Sequence, residues 1–147
     1  MTYREVQGDL FDFYGKAFLV HCISADFALG KGIAKQFDQN CQMKKRLRQE
    51  YPDYLARYRA SGMKGDALWI DSVVNLVTKE RYYQKPTYQS LQEALEKLAD
   101  RCRADEATDL AMPLIACGLD GLEWDKVSAM IQDVFRDTVC NITVVER

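Results

Sequence analysis

Residues 17–37 read AFLVHCISADFALGKGIAKQF. Ala17-Phe18-Leu19-Val20 is a continuous apolar run, the pattern of a strand buried on both faces, and such strands belong to sheets covered by helices on each side. Leu29-Gly30-Lys31-Gly32 then punctuates the chain. Ile33, Phe37, Cys41 and Leu47 continue as a loose helical stripe, with Lys44, Lys45, Arg46 and Arg48 on its polar side. Strand, glycine loop and helix in that order put a candidate ligand loop, Ser24 to Gly32, beyond the carboxyl end of a central strand.

Upstream, Tyr3 to Val6 alternates as an opening strand and Gly8-Asp9 turns the chain. Downstream, Pro52 interrupts the helical stripe, and Tyr54, Leu55 and Tyr58 suggest a further helical piece. Gly62 and Gly65 mark a loop. Ala67 to Ile70 and Val73 to Val77 are two β-rich runs around Asp71-Ser72, readable as a hairpin or as one bulged strand. Tyr88, Leu91, Leu95, Leu98 and Cys102 fall at helical spacing, and Pro86 suits a first helical turn, so Lys85 stands at a helix entrance. Leu110 to Ile115 reads as a strand and Cys117 to Gly121 as a glycine loop. Val127, Met130, Ile131, Val134 and Phe135 form a core-facing stripe, and Asn141 to Val145 is a closing strand. Strands alternating with helices predict an α/β chain: a three-layer α/β/α arrangement with a mixed central sheet, in one domain over residues 1–147.

The 147 residues are 48% hydrophobic, 29% charged and 11% aromatic, with three prolines and eight glycines, which excludes disordered, collagen-like and coiled-coil classes. Twenty Lys and Arg against 22 Asp and Glu leave a net charge of −2, so general duplex binding by phosphate neutralisation is disfavoured. An anionic ligand must be held locally. The apolar runs are far short of a membrane span and the N-terminus does not read as a signal peptide, so the expectation is a cytoplasmic protein with no membrane association. Cys22, Cys41, Cys102, Cys117 and Cys140 are odd in number and lack the C-x-x-C spacing of zinc and thioredoxin motifs, so they are expected to be reduced thiols. With a single histidine, His21, in an apolar run, no metal site is expected.

Gly30-Lys31-Gly32 before a helix lets backbone amides approach a phosphate, although a purely structural turn reads equally well. Lys35 stands where a dinucleotide fingerprint needs its third glycine, and no G-x-x-x-x-G-K-[ST] occurs. Asp120, between Gly118 and Gly121, would repel a pyrophosphate but suits a sugar hydroxyl or a proton transfer; a plain turn aspartate is the alternative. Lys85 is opposed by the macrodipole at its helix entrance, and partial burial there would favour a neutral, nucleophilic amine. The alternative is a solvated loop lysine. Lys44 to Arg48 read as the solvated face of an amphipathic helix, and Met130, Tyr54 and Tyr58 as packing residues.

Several spaced strings then share one resemblance. Gly8-Asp9-Leu10-Phe11, His21-Cys22-Ile23-Ser24-x-Asp26-x-x-Leu29-Gly30-x-Gly32-Ile33-Ala34, Lys85-Pro86-Thr87-Tyr88, Met112-Pro113-x-Ile115-x-Cys117-Gly118-Leu119-Asp120 and Val127-Ser128-Ala129-Met130-Ile131 together resemble the macrodomains that bind ADP-ribose. They are most similar to the terminal ADP-ribose protein glycohydrolase branch, from about Tyr3 to Val145. The resemblance implies a mixed sheet between helices with ADP-ribose in a cleft across the strand ends. It implies that Asp9 reads the adenine, that Ser24 to Ala34 line the diphosphate and distal ribose, and that Ala116 to Gly121 form a second phosphate-side loop. Asp9, Leu10, His21, Ser24, Gly30, Gly32, Ile33, Ala34, Ile115, Cys117, Gly118, Leu119 and Gly121 would then be binding positions, and Lys85 and Asp120 the catalytic pair.

The implied activity is removal of ADP-ribose from modified acidic side chains or from O-acyl-ADP-ribose, through attack of the Lys85 amine on the distal ribose, with no cofactor. The alternatives are a non-catalytic ADP-ribose reader, an ADP-ribose 1″-phosphate phosphatase and a hydrolase of ADP-ribosylated DNA bases. The implied partners are ADP-ribose and an ADP-ribosylated protein or nucleobase, acted on by a monomer. Two departures stand out: Ala116 where relatives often carry glycine, and Tyr82-Tyr83-Gln84 before Lys85.

Overall fold

In the computed structural model, which describes residues 1–105 and 109–147, alternation along the central strands sorts side chains onto two buried faces. In β2 (Phe18–Ser24), Val20 joins one apolar cluster while Leu19 and Ile23 join the other. The antiparallel pair β3 (Asp66–Ile70) and β4 (Val73–Lys79) divides likewise, with Val74 and Leu76 on the first face and Leu68, Ile70, Val73 and Val77 on the second. The first face is covered by α4 (Tyr88–Asp105) and α5 (Trp124–Val134). The second lies beneath α1 (Gly32–Cys41), α2 (Met43–Glu50), α3 (Tyr54–Ser61) and a 3-10 turn over Leu10–Phe13. With β1 (Thr2–Gln7), β5 (Asp109–Met112) and β6 (Asn141–Glu146) the sheet runs β1-β6-β5-β2-β4-β3, and every pairing except β3 with β4 is parallel. The mixed three-layer α/β/α architecture expected from the sequence is the one observed.

Three local expectations change, and one open alternative is decided. The stripe from Ile33 to Leu47 is two helices, because Gln42 adopts a left-handed conformation with φ 53°. Asp38 stabilises the break: its carbonyl accepts from Gln42 N and its carboxylate from Lys44 N, at 2.9 Å each. The strand drawn from Leu110 to Ile115 stops at Met112, since Pro113 has no N–H to continue the ladder and its carbonyl accepts from Ile115 N at 2.7 Å. Pro86 lies outside the helix it was expected to start. Thr87 and Ser90 exchange side-chain to backbone hydrogen bonds at 3.0 Å in a reciprocal cap, and α4 begins at Tyr88. The two β-rich runs are a hairpin, with Ile70 opposite Val73 and Asp71 at φ 49° in the turn.

His21 is fully buried, not set at a ligand surface. Its ring stacks on Phe37 of α1 with centroids 3.9 Å apart, and Nε2 bonds Asn75 Oδ1 at 2.6 Å, the residue opposite it in β4. Asn75 in turn donates to the Leu68 carbonyl. Burial lowers the His21 pKa to about 4 despite the bond to Asn75. The neutral ring is therefore the folded form. Between its unfolded value of 6.5 and about 4, the unfolded chain takes up a proton that the folded chain does not, so stability falls as pH falls through that window.

Two outcomes are expected. The loss specific to His21 amounts to about 3 kcal/mol by pH 4, and urea titrations of wild type and His21→Gln from pH 7 to pH 4 should show a shallower decline in the variant. Parallel declines would separate His21 from acid stability. Gly65, just before β3, runs so close to α4 that a Cβ would stand 2.0 Å from the Ser90 carbonyl oxygen and 2.7 Å from Ala94 N. Gly65→Ala should cost about 2 kcal/mol or more through displaced backbone, read as a lowered urea midpoint.

Candidate functional site

β2, β4 and β5 lie side by side and parallel, so the loops that leave their carboxyl ends emerge on one edge of the sheet. The loop after β2 is held by Asp26. Its carboxylate accepts from Ser24 Oγ at 2.5 Å, from Ala28 N at 3.3 Å and, across the cleft edge, from Tyr82 N at 3.0 Å. Two further backbone bonds, Ala25 N to the Lys79 carbonyl and Asp26 N to the Glu80 carbonyl, fasten this loop to the segment that leads to Lys85. Phe27 and Leu29 sit at φ 55° and 44°, unusual for side-chain-bearing residues, and are buried. Gly30 and Gly32 are exposed, Ile33 and Ala34 half-buried, and Ser24 buried beside Asp26.

α1 opens at Gly32 after an extended Lys31 that supplies no side-chain cap. The leading N–H groups, those of Gly32, Ile33 and Ala34, have no acceptor earlier in the helix, and the positive end of the helix dipole coincides with them. This is an anion-accepting arrangement.

The loop after β5 faces it. A Cβ at Gly32 would stand 3.7 Å from Leu119 Cδ1, which brings the two glycine loops into contact. Ile115 is buried, Gly118, Leu119 and Gly121 are exposed, and the loop closes through Leu122 N to the Ala116 carbonyl at 2.9 Å. Ala116 takes φ 61°, a left-handed conformation in which glycine is unstrained, so alanine stands here on a backbone that favours glycine.

Lys85 reaches this loop from the entrance to α4, where Nζ donates to the Leu119 carbonyl at 2.5 Å. The next residue, Asp120, accepts through Oδ1 from Lys79 Nζ at 2.8 Å. The amine of Lys85 and the carboxylate of Asp120 are thus anchored on consecutive residues of one loop. Lys85 is exposed, in line with the solvated alternative and not the partly buried one, whereas Asp120 is half-buried. The neighbouring thiols are suppressed as nucleophiles: burial, assisted by the Asp120 carboxylate, pushes Cys117 up to about 11 and Cys22 higher still.

Asp9 follows β1 on the same edge. Its Oδ1 accepts from Phe11 N at 3.0 Å, and Oδ2 lies 3.8 Å from the exposed Arg147. Leu10 beside it is buried in the core. Ser24, Gly30, Gly32, Ile33, Ala34, Ile115, Cys117, Gly118, Leu119 and Gly121 therefore lie on the two facing loops with Lys85 and Asp120, Asp9 at the flank, and His21 beneath in the core. Among the described residues no three His, Cys, Asp or Glu side chains converge to hold a metal ion. No described helix is long and apolar enough to cross a membrane. A separate groove of about 550 Å³ between α4 and α5 sets two arginines among four carboxylates, with Arg103 paired to Asp100 and Asp137 and Arg136 to Asp133.

Two residues that build the site are not singled out by the sequence: Asp26, which falls within the Ser24 to Ala34 segment without a role of its own, and Lys79. The available signal was position: Lys79 is a charge at the end of the otherwise uncharged run Val73 to Thr78, where a strand reaches the ligand edge of an open sheet.

Comparison with known proteins follows the same geometry. The Macro domain model matches residues 20–131, from the middle of β2 into α5. The human ADP-ribose glycohydrolase OARD1 is 41% identical over 143 residues, 95% of this chain and 88% of the relative. The macrodomain of Thermus aquaticus DarG superposes with a TM-score of 0.70 at 20% identity, over 99% of this chain and 98% of that one. Thermosipho africanus DarTG in complex with ADP-ribose gives 0.74 at 16% identity, over all of this chain and 42% of that one. At such identities the two structures speak for the fold alone, whereas the family model spans about three quarters of the chain and the human relative is similar over nearly all of it: this chain belongs to the Macro domain family.

Proposed function

We propose that the protein is an ADP-ribosyl hydrolase that releases ADP-ribose from mono-ADP-ribosylated acidic side chains or from O-acyl-ADP-ribose. The observation that carries this reading is the anchoring of Lys85 on Leu119 and of Lys79 on Asp120, which brings an amine and a carboxylate to the same loop. The 41% identity to a relative named ADP-ribose glycohydrolase supports it.

In this reading the diphosphate lies between the unpaired amides at the start of α1 and the 116–121 loop, a match of anion to dipole and donors. Asp9 accepts from the adenine amino group through Oδ2, displacing a weak exposed pairing with Arg147. The distal ribose then projects toward Lys85 and Asp120. The Lys85 nitrogen forms a bond to the anomeric carbon, the bond from that carbon to the acyl oxygen breaks, and the carboxylate leaves with the electron pair. A proton lost from the amine passes to Asp120 or to water. Water then adds at the same carbon, the bond to Lys85 breaks and the amine recovers a proton, so one water is consumed and free ADP-ribose and a carboxylic acid are released.

Lys85→Ala should abolish turnover of a glutamate-linked ADP-ribosyl protein while leaving calorimetric affinity for free ADP-ribose nearly unchanged, because a nucleophile acts mainly in the transition state. Turnover near the wild-type level would remove Lys85 from the chemistry. Binding without turnover by the wild type itself would favour a reader, and phosphate release from ADP-ribose 1″-phosphate without glycosidic cleavage would favour a phosphatase.

Asp120→Ala should slow release more than attack, by a factor on the order of 10², and let a covalent ADP-ribose adduct accumulate. Intact-protein mass spectrometry with peptide mapping should place the adduct on Lys85, and the double substitution of Lys85 and Asp120 by Ala should carry none. An adduct elsewhere would reject the assigned roles. Running glutamate-linked, O-acetyl-linked and thymidine-linked substrates side by side identifies the leaving group.

A further inference from the structure

We infer that Lys79 is a positioning residue for the hydrolytic step, fixing the Asp120 carboxylate so that one oxygen stays free for the attacking water; this rests on the reading of Lys85 and Asp120 given above. The ion pair differs from the rest of the molecule. Lys79 and Asp120 side chains are only 14% and 20% exposed, whereas every other ion pair among the described residues has at least one member a third or more exposed. Desolvating an ammonium and a carboxylate is costly, and such a pair contributes little net stability for that cost. Its value therefore lies in geometry.

That geometry is rigid at both ends. Lys79 closes β4, stands opposite Ser24 of β2, and its carbonyl holds Ala25 N at 2.9 Å, so its backbone is fixed by the sheet and by the first phosphate-side loop. Its Nζ takes Oδ1 of Asp120, and Oδ2 has no partner among the described residues. Lys85 meanwhile holds the preceding carbonyl, that of Leu119. The remaining ionisable neighbours, Cys22 on β2 and Cys117 on the loop, are neutral thiols because burial raises both. Lys79 is then the cation that orients Asp120, and Lys85 is left free to leave the Leu119 carbonyl and attack.

When water resolves the lysyl adduct, its oxygen bonds to the anomeric carbon, the bond from that carbon to Lys85 nitrogen breaks, and the water proton passes through Asp120 Oδ2 to the departing amine. Lys79 keeps its own protons throughout. It acts on the second half of the reaction through the direction in which Oδ2 points, and it makes no contact with the sugar.

The test compares wild type, Lys85→Ala, Lys79→Met, Lys79→Gln and Lys79→Arg with glutamate-linked substrate, free ADP-ribose and intact-protein mass spectrometry. The expected result for Met and Gln is a kcat lowered by about tenfold or more with the Kd for ADP-ribose within about twofold, an adduct on Lys85 at steady state, and recovery of most of the kcat in Lys79→Arg. Use of both Met and Gln covers a folding defect in either one. Unchanged kcat in both neutral variants overturns the inference, as does a loss confined to KM and Kd, which would make Lys79 a phosphate ligand. A fall in kcat with no adduct, or one that Arg does not recover, also overturns it. Turnover by Lys85→Ala, or none by wild type, overturns the underlying reading instead, and the two failures are thereby distinguished.

Discussion

The arrangement of this molecule depends on β2 being hydrogen-bonded on both edges and buried on both faces. β4 lies along one side and β5 along the other, while α1 to α3 cover one face and α4 and α5 the other. A chain leaving such a strand has one route, outward past its carboxyl end. Because β4 and β5 run parallel to β2, the segments that follow them leave in the same direction, and three loops from distant parts of the sequence meet on one edge. The amine, the carboxylate and the unpaired helix amides come together for that reason and not because any one loop is specialised.

Such a sheet needs its register specified, since a slip of one residue would exchange the two faces. His21 and Asn75 specify it between β2 and β4. They stand opposite each other, bond side chain to side chain, and are completely buried. In a slipped pairing each would face apolar neighbours and lose its partner, which is expensive for a buried polar group. The register they hold also sets Ser24 beside Lys79, after a bulge at Ile23 and Ser24. A pair of residues in the core thereby controls where the floor of the cleft ends.

The fold was legible where burial is two-sided or periodic: the apolar run of β2, the stripes of α4 and α5, and the strand after Phe135 all survive in the structure. What was not legible depended on interactions that periodicity does not encode. The break at Gln42 comes from Asp38 bonding across two helices, and the start of α4 from a reciprocal Thr87 and Ser90 cap one residue beyond Pro86. At the site, Lys85 and Asp120 could be named from their strings, but the contacts that hold them could not, because Lys79 and Lys85 reach the 116–121 loop from a segment more than thirty residues earlier. His21 shows the reverse case: a residue inside a recognisable string whose side chain turns to the core, since the strand's alternation sends Leu19, His21 and Ile23 to the same face.

The strain in the cleft follows from the same constraint. Phe27, Leu29 and Ala116 hold left-handed backbone angles, each at a cost of about 1 to 3 kcal/mol, and all three are at least nine-tenths buried. Side chains anchored this deeply leave their loops little alternative conformation. The backbone amides that face the cleft are consequently held in place before a ligand arrives. Pre-set donors avoid an ordering cost on binding, and they remain aligned as charge redistributes during a reaction. Glycine at position 116 would relieve the angle but widen the range of loop conformations, whereas alanine keeps the angle strained and the carbonyl fixed on Leu122 N. Alanine at position 116 thus exchanges backbone stability for a more sharply defined loop beneath Asp120.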